Sequence, residues 1–170
     1  MARHITVLGA GLVGSLLSIL LKKRGYEVTI YERRPDMRKQ LMSAGKSINL
    51  AMSDRGWRAL DLAGLRKDIE ALAIPMYGRY LHQADGSSAF QQYGTNNQAI
   101  YSVSRGELNR KLMTLAEEHG VKIFFEHKCV KVDVQDNRLH MEKPDGSTET
   151  IQTDLLFGAD GAFSALRNSY

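Results

Sequence analysis

Ile5-Thr6-Val7-Leu8-Gly9-Ala10-Gly11-Leu12-Val13-Gly14, followed by the apolar run Val28-Thr29-Ile30-Tyr31 that closes on Glu32, decides the fold. A short apolar run bounded by turn residues reads as a buried strand, and the G-x-G-x-x-G spacing after it reads as a turn from strand into helix. Gly9 permits the tight turn, Gly11 leaves room for a pyrophosphate to reach the backbone, and Gly14 lets the helix pack closely on the strand. The helix then offers unpaired N–H groups, those of Leu12 and Val13 included, and the positive end of its dipole to a diphosphate. Glu32 ends the second strand, where a carboxylate accepts hydrogen bonds from adenosine ribose hydroxyls and repels a 2′-phosphate. FAD or NAD is therefore expected, and NADP is disfavoured in this pocket. A glycine-rich turn by itself often serves only close packing, but here strand, helix and acid agree. No G-K-[ST] comes after it, which excludes a P-loop.

The 170 residues, 43% of them hydrophobic, suffice for the core of one ordinary domain. The net charge of +4 and pI near 9.2 come from dispersed Lys and Arg, clustered only at 22–24 and 33–34. With no basic stripe interleaved by aromatics, a solvated surface is favoured over nucleic acid. The single cysteine, Cys129, permits no internal disulfide and no cysteine-based metal cluster, and is expected to be a half-buried strand residue. His82, His119, His127 and His140 show no paired spacing and are read as surface or core residues, not metal ligands. Met1 leads directly into the first strand, leaving no room for a signal peptide. The longest apolar run, 16–21, is too short for a bilayer, so no membrane segment is expected and the compartment is read as cytoplasmic. Ser164-Ala165-Leu166-Arg167 reads as a helix start cut off at Tyr170, which marks the chain as the front of a longer protein.

Along the chain, a helix is expected over 13–24, with Leu16, Leu17, Leu20 and Leu21 as its apolar stripe and Gly25 ending it. A polar turn at 33–36 leads to a short basic helix over 37–41 and a loop over 43–46, which runs into Ser47-Ile48-Asn49-Leu50-Ala51. Ser53 caps a helix that Gly64 closes, and another short helix runs to about 72. Residues 77–83 and 89–93 alternate as strands about a turn at Asp85-Gly86, and 100–103 is a further strand. Ser104-Arg105-Gly106-Glu107 has capping-box spacing and opens a helix that buries Leu108, Leu112 and Leu115 and stops at Gly120. Further strands are expected at 121–125, 130–134, 139–143, 148–153 and 155–157.

The segment Asp154-Leu155-Leu156-Phe157-Gly158-Ala159-Asp160-Gly161-Ala162-Phe163-Ser164-Ala165-Leu166-Arg167 separates FAD from NAD. It resembles the Asp-Gly motif of the single-component flavin-dependent aromatic hydroxylases, where strand, G-A-D-G turn, serine and arginine recur at this spacing. Gly45-Lys46-Ser47-Ile48-Asn49-Leu50-Ala51, the segment from Ile74 to His82, and Ser102-Val103-Ser104-Arg105-Gly106-Glu107-Leu108-Asn109 are similar to the branch of that family acting on L-kynurenine. The resemblance spans essentially the whole chain and implies an α/β fold. It would be a Rossmann-like FAD-binding domain over 1–74 and 104–170, incomplete at its C-terminus, with an inserted antiparallel β piece of a substrate domain at 75–103.

The same resemblance implies cofactor contacts from Gly9, Gly11, Leu12, Val13, Gly14, Glu32, Arg33, Leu50, Arg105, Asp160 and Gly161. Arg105 would lie near the flavin, and Asp160 would accept from a cofactor hydroxyl. Arg79 would pair with the substrate carboxylate and Tyr93 would hydrogen-bond the same end. A guanidinium fork suits a carboxylate and a phenol adds one directed donor. From spacing alone, however, Arg79 reads as a solvent-face residue of an alternating strand, and Tyr93 as a cross-strand packing residue. The implied activity is hydroxylation of L-kynurenine by O2, with FAD reduced by NADPH. The cofactor carries that chemistry, so no catalytic nucleophile, acid or base is assigned and no metal is required. Other readings stay open: a nucleotide-binding module without catalysis, a hydroxylase of another aromatic, or an NAD-dependent reductase.

Overall fold

The computed structural model describes residues 3–39 and 48–169. In chain order its strands are β1 (His4–Leu8), β2 (Glu27–Glu32), β3 (Asn49–Met52), β4 (Ala73–Met76), β5 (Gly78–His82), β6 (Ser88–Gln92), β7 (Ile100–Ser104), β8 (Lys122–Phe125), β9 (Lys128–Asp133), β10 (Arg138–Glu142), β11 (Thr148–Gln152) and β12 (Leu155–Gly158). The helices are α1 (Leu12–Lys23), α2 (Asp54–Ala63), α3 (Arg66–Glu70) and α4 (Arg105–Glu118). They fall into two compact units, Met1–Ser43 with Asn109–Tyr170, and Ala44–Leu108. Among the described residues no helix is long and apolar enough to cross a membrane.

The first unit is built on a parallel sheet in the order β12-β1-β2-β8. The α/β, Rossmann-type reading of the sequence is what forms. Val7 stands between Phe157 and Ile30 in register, and Ile5, Val7, Leu8, Val28 and Ile30 are all buried. That burial explains why these strands read as apolar runs and not as alternating ones. An antiparallel meander, β11-β10-β9, covers part of the sheet by setting Val132, Leu139 and Met141 against Leu8, with Tyr31, Leu156 and Leu166 at the margin.

Helix α1 packs on β1 and β2 differently from its expected leucine stripe. Its buried positions are Gly14, Ser15, Ser18 and Ile19, while Leu16, Leu17, Leu20 and Leu21 are half-buried flanks. The reason is distance. A Cβ on Gly14 would lie 1.9 Å from the Gly9 carbonyl oxygen and 3.3 Å from Ala159 Cβ, so only small residues fit where the helix meets the turn. A Cβ on Gly9, whose φ is +95°, would lie 2.6 Å from the Ala159 carbonyl oxygen. Gly9, Gly14 and the turn after β12 therefore form one tightly nested backbone cluster.

Two expected helices are turns. Residues 37 and 38 form a turn closed by Lys39 N–H donating to the Asp36 carbonyl at 3.0 Å; residues 40 and 41 lie outside the described part, as does the expected loop at 43–46. Asp36 Oδ1 accepts from Arg38 N at 3.0 Å and Nε at 2.8 Å, and Oδ2 accepts from Nη2 at 2.8 Å, a local closure that competes with helix. Arg38 also pairs with Glu117 of α4 and lies over the Phe125 ring at 5.4 Å. After β12 the chain makes two 3-10 turns, Gly161–Phe163 and Arg167–Ser169, with Ser164 extended between them. Ser164 Oγ accepts from Arg167 N at 3.1 Å, so the serine caps a turn instead of opening an α-helix at 164.

The second unit holds an antiparallel sheet in the order β3-β7-β4, and Met52, Trp57, Leu60, Ala63, Leu65, Ile69, Val103 and Leu108 are among its buried residues. Strand β4 extends across Pro75, a position tolerated because β4 is the sheet's edge. Ser53 precedes α2 in an extended conformation but makes no capping side-chain bond, whereas Gly64 ends the helix at φ +68°. Trp57 meets Tyr101 edge-on at 5.1 Å and carries the Arg66 guanidinium 4.7 Å over its ring. Strands β5 and β6 form a separate two-stranded hairpin.

The nested glycines generate a contrast. Gly14→Ala is expected to destabilise the chain by about 3 kcal/mol, the upper end of overpacking costs, because the methyl meets backbone that cannot yield. Gly11→Ala meets nothing within 4 Å and should stay within about 0.5 kcal/mol of the parent. Urea unfolding followed by circular dichroism checks both; equal losses would contradict the packing described.

Candidate functional site

The end of β2 delivers Glu32 beneath the glycine turn. The residue is only 3% exposed, and its carboxylate is fully engaged. Oε2 accepts from Ala10 N at 2.8 Å and Arg34 Nη2 at 3.1 Å; Oε1 accepts from Arg34 N and Arg34 Nε, both at 2.9 Å. Burial alone would push this carboxyl up, but the hydrogen bonds from the Arg34 side chain and from the Arg34 and Ala10 amides outweigh it and hold it below the ordinary range. The surrounding backbone is tied to the same point. Gly9 N donates to the Tyr31 carbonyl at 2.8 Å, His127 N to the Glu32 carbonyl at 3.0 Å, and Glu126 N to the Arg34 carbonyl at 3.2 Å.

Beside Glu32, α1 begins without a side-chain cap. Gly11 is extended (φ −73°, ψ −178°), and the first helical bond runs from Ser15 N to the Gly11 carbonyl at 2.9 Å. The amides of the first turn, those of Leu12, Val13 and Gly14, are the ones a helix cannot satisfy internally. A Cβ at Gly11 would meet nothing within 4 Å, and Val13 is 69% exposed, so this helix end is open. An uncapped, open helix N-terminus beside a buried carboxylate is the donor and acceptor set that a dinucleotide's diphosphate and ribose require.

Asp160 and Gly161 close the third side of this cluster. Gly161 has φ +82°, and Asp160 Oδ2 accepts from Ala165 N at 2.8 Å, which braces the turn that Gly9 abuts. Burial, with the Asp160 charge added, pushes the thiol of Cys129 on β9 up to about 11, so it stays protonated at neutral pH. The first unit thus brings together the glycine turn, Glu32 and the Asp160 turn. Arg33 is exposed, and the neighbour that grips Glu32 is Arg34, a residue the sequence reading did not single out. Its only sequence signal is its place two residues after the acid, close enough for backbone and side chain to fold back onto one carboxylate.

The remaining candidates lie in the second unit. Leu50 pairs with Val103 across β3 and β7, and Arg105 N extends that ladder by donating to the Ile48 carbonyl at 3.2 Å. Ser104 Oγ accepts from Glu107 N at 3.4 Å, as the capping spacing predicts. Arg79 stands opposite Gln91 on the hairpin, and its Nε donates to Gln91 Oε1 at 2.9 Å. Tyr93 N donates to the Tyr77 carbonyl at 3.0 Å, which continues the ladder one pair beyond Gly78 and Gln92. By the two-residue alternation, Arg79 and Tyr93 share one face of the hairpin; both are exposed.

A concavity of about 540 Å³ is lined by Tyr31, Phe124, His127, Lys143, Pro144, Asp145 and Glu149. It contains neither Glu32 nor the glycine turn and is set apart from the donor and acceptor set above. Among the described residues no group of three His, Cys, Asp or Glu side chains could hold a metal ion.

The model of the family described as "FAD binding domain" matches residues 3–170. The chain is 48% identical over 167 residues to a kynurenine 3-monooxygenase of Christiangramia forsetii, covering 98% of this chain and 37% of that protein. It is 40% identical over 169 residues to the kynurenine 3-monooxygenase of Drosophila melanogaster, covering 98% and 36%. The chain therefore spans a little over a third of the length of the curated relatives it matches. Among solved structures, p-nitrophenol 4-monooxygenase of Pseudomonas putida superposes with a TM-score of 0.81 at 21% identity, over 99% of this chain and 43% of that one, a likeness of fold. The tetrameric form of 2-methyl-3-hydroxypyridine-5-carboxylic acid oxygenase gives 0.75 at 27% identity, over 99% and 42%.

The lowered Glu32 carboxyl makes stability depend on pH. Because its folded value lies below its unfolded one, it stabilises the chain above the ordinary glutamate range, and this is lost as pH falls through the folded value. Glu32→Gln should cost about 1.5–3 kcal/mol at pH 7, the worth of hydrogen bonds to a charged group. The gap between parent and variant should close as pH drops from about 5 toward 3, near and below the ordinary glutamate value. Urea midpoints across that range measure it; a gap independent of pH would contradict the role of the charge.

Proposed function

Since the chain belongs to the FAD-binding-domain family, we propose that it forms the dinucleotide-holding part of a flavin monooxygenase that hydroxylates L-kynurenine at ring position 3, using NADPH and O2. The observation that carries this reading is the buried Glu32, its carboxylate hydrogen-bonded on both oxygens, beside the open N-terminus of α1. Identity of 40–48% to kynurenine 3-monooxygenases over nearly the whole chain supports the substrate.

In this reading Glu32 accepts from the adenosine ribose, and the first-turn amides of α1 hold the diphosphate across the bare Cα of Gly11. Asp160 braces its turn with one carboxylate oxygen and keeps the other for a cofactor hydroxyl. Leu50 and Arg105 are assigned to the cofactor through the matching segments around 45–51 and 102–109, Arg105 as the cation that offsets charge on the reduced flavin. FAD, when bound, supplies electron transfer from NADPH and the activation of O2. This chain's own residues bind, orient and exclude water. Arg79 and Tyr93, on one face of the β5–β6 hairpin, hold the amino-acid carboxylate of the substrate. Residues 1–74 and 104–170 serve the cofactor, and 75–103 begin the substrate sheet.

A flavin titration of the chain tests the cofactor assignment: saturable quenching of flavin fluorescence is expected, weakened tenfold or more in Glu32→Ala, for loss of about 1.5–3 kcal/mol. Unchanged affinity would remove Glu32 from the site. For the substrate, Arg79→Ala should raise the kynurenine requirement for NADPH oxidation by the protein at least a hundredfold, about 3 kcal/mol for a carboxylate left unpaired. Decarboxylated kynurenine should be insensitive to that change. Equal losses with both compounds would make Arg79 structural.

A further inference from the structure

Glu32 has room for about four hydrogen bonds, two on each oxygen, and all four are made. Two come from main-chain amides, Ala10 on Oε2 and Arg34 on Oε1, and fix the carboxylate's orientation. The other two come from the Arg34 guanidinium, whose Nε and Nη2 reach Oε1 and Oε2 as a parallel fork, one donor to each oxygen. Two vicinal hydroxyls of a ribose would present the same pattern to the same two oxygens.

We propose that Arg34 is a stand-in for the ribose diol, so that dinucleotide binding at Glu32 is an exchange in which the guanidinium fork leaves as the two hydroxyls arrive. The proposal rests on the reading of Glu32 as the ribose acceptor. The exchange is geometrically clean. The amides of Ala10 and Arg34 keep one bond on each oxygen throughout, so the carboxylate never turns. The Arg34 side chain is 57% exposed against 4% for Glu32, so the departing cation returns to water while the buried anion always keeps partners. Arg34 thereby keeps Glu32 ionised and aligned before the ligand comes, and it sets part of the cost of ligand entry. It is an affinity-determining residue that acts through Glu32.

The test is a double-mutant cycle of Arg34→Met and Glu32→Gln in the 170-residue chain, with FAD itself as the probe. In the parent background, Arg34→Met should lower the melting temperature of the ligand-free chain; in the Glu32→Gln background that loss should largely vanish. The factor by which Arg34→Met changes the FAD dissociation constant should favour binding more in the parent than in the Glu32→Gln background, by about tenfold, one charge-assisted pair. The cycle cancels attraction between Arg34 and the diphosphate, which is present in both backgrounds. If Arg34→Met does not fold, Arg34→Lys keeps the charge, loses the fork, and should move FAD affinity in the same direction by less. Equal factors in the two backgrounds, or a ligand-free melting temperature untouched by Arg34→Met, would overturn the exchange alone. A parent chain that does not bind FAD would overturn the cofactor reading and the exchange with it.

Discussion

The approach of the α1 N-terminus to the end of β1 and the turn after β12 is the constraint on which the first unit depends. Gly14 sits where a single methyl carbon would fall 1.9 Å from the Gly9 carbonyl oxygen, and Gly9 sits where one would strike the Ala159 backbone. The glycine turn and the turn after β12, at opposite ends of the chain, are thus fitted together with no large side chain between them. The price is a helix that buries glycine and serine and leaves its leucines to the flanks. This packing leaves the helix end uncapped, with its donors outward, next to the strand end that carries Glu32.

Glu32 is the other half of that arrangement, and its burial is possible only because the same turn supplies partners. A carboxylate this enclosed would ordinarily take up a proton, since desolvation penalises the charge. Ala10 N–H, freed by the turn geometry, and the backbone and fork of Arg34 outweigh that penalty. The glycine turn therefore does two things at once: it opens the helix end for an anion and it stabilises an anion of its own. The segment beyond β2 is held in place separately, by Asp36 and Glu117 on Arg38, so the loop that positions Arg34 is anchored to α4.

The second unit has a different character. Its three-stranded sheet and α2 share a compact core around Trp57 and Val103, while the β5–β6 hairpin carries Tyr80 at 68% exposure and Phe90 at 49%. Arg79 belongs to this exposed ribbon, aligned by Gln91 across the register. The alternating pattern that suggested a solvent face describes its surroundings correctly, and the family match is what gives the residue a functional reading.

The sequence by itself determined the first strand–helix–strand unit, the glycine turn, the acid at the end of β2, the α4 cap and the hairpin turn at Asp85-Gly86, because each is written in local spacing: apolar runs, G-x-G-x-x-G, S-x-x-E, Asp-Gly. It misread 164–167 as the start of a helix and, within the described residues, 37–39 as part of one, since Asp36 and Ser164 close local turns through side-chain bonds that propensity does not weigh. It also misjudged the buried face of α1, because the helix's distance from the sheet is set by Gly9 and Ala159, residues outside the helix. Tertiary structure alone decided that Arg34, not the adjacent Arg33, holds Glu32. The choice between two neighbouring arginines depends on which way the backbone leaves β2, and that direction is set by the bonds from Glu126 and His127, more than ninety residues away along the chain.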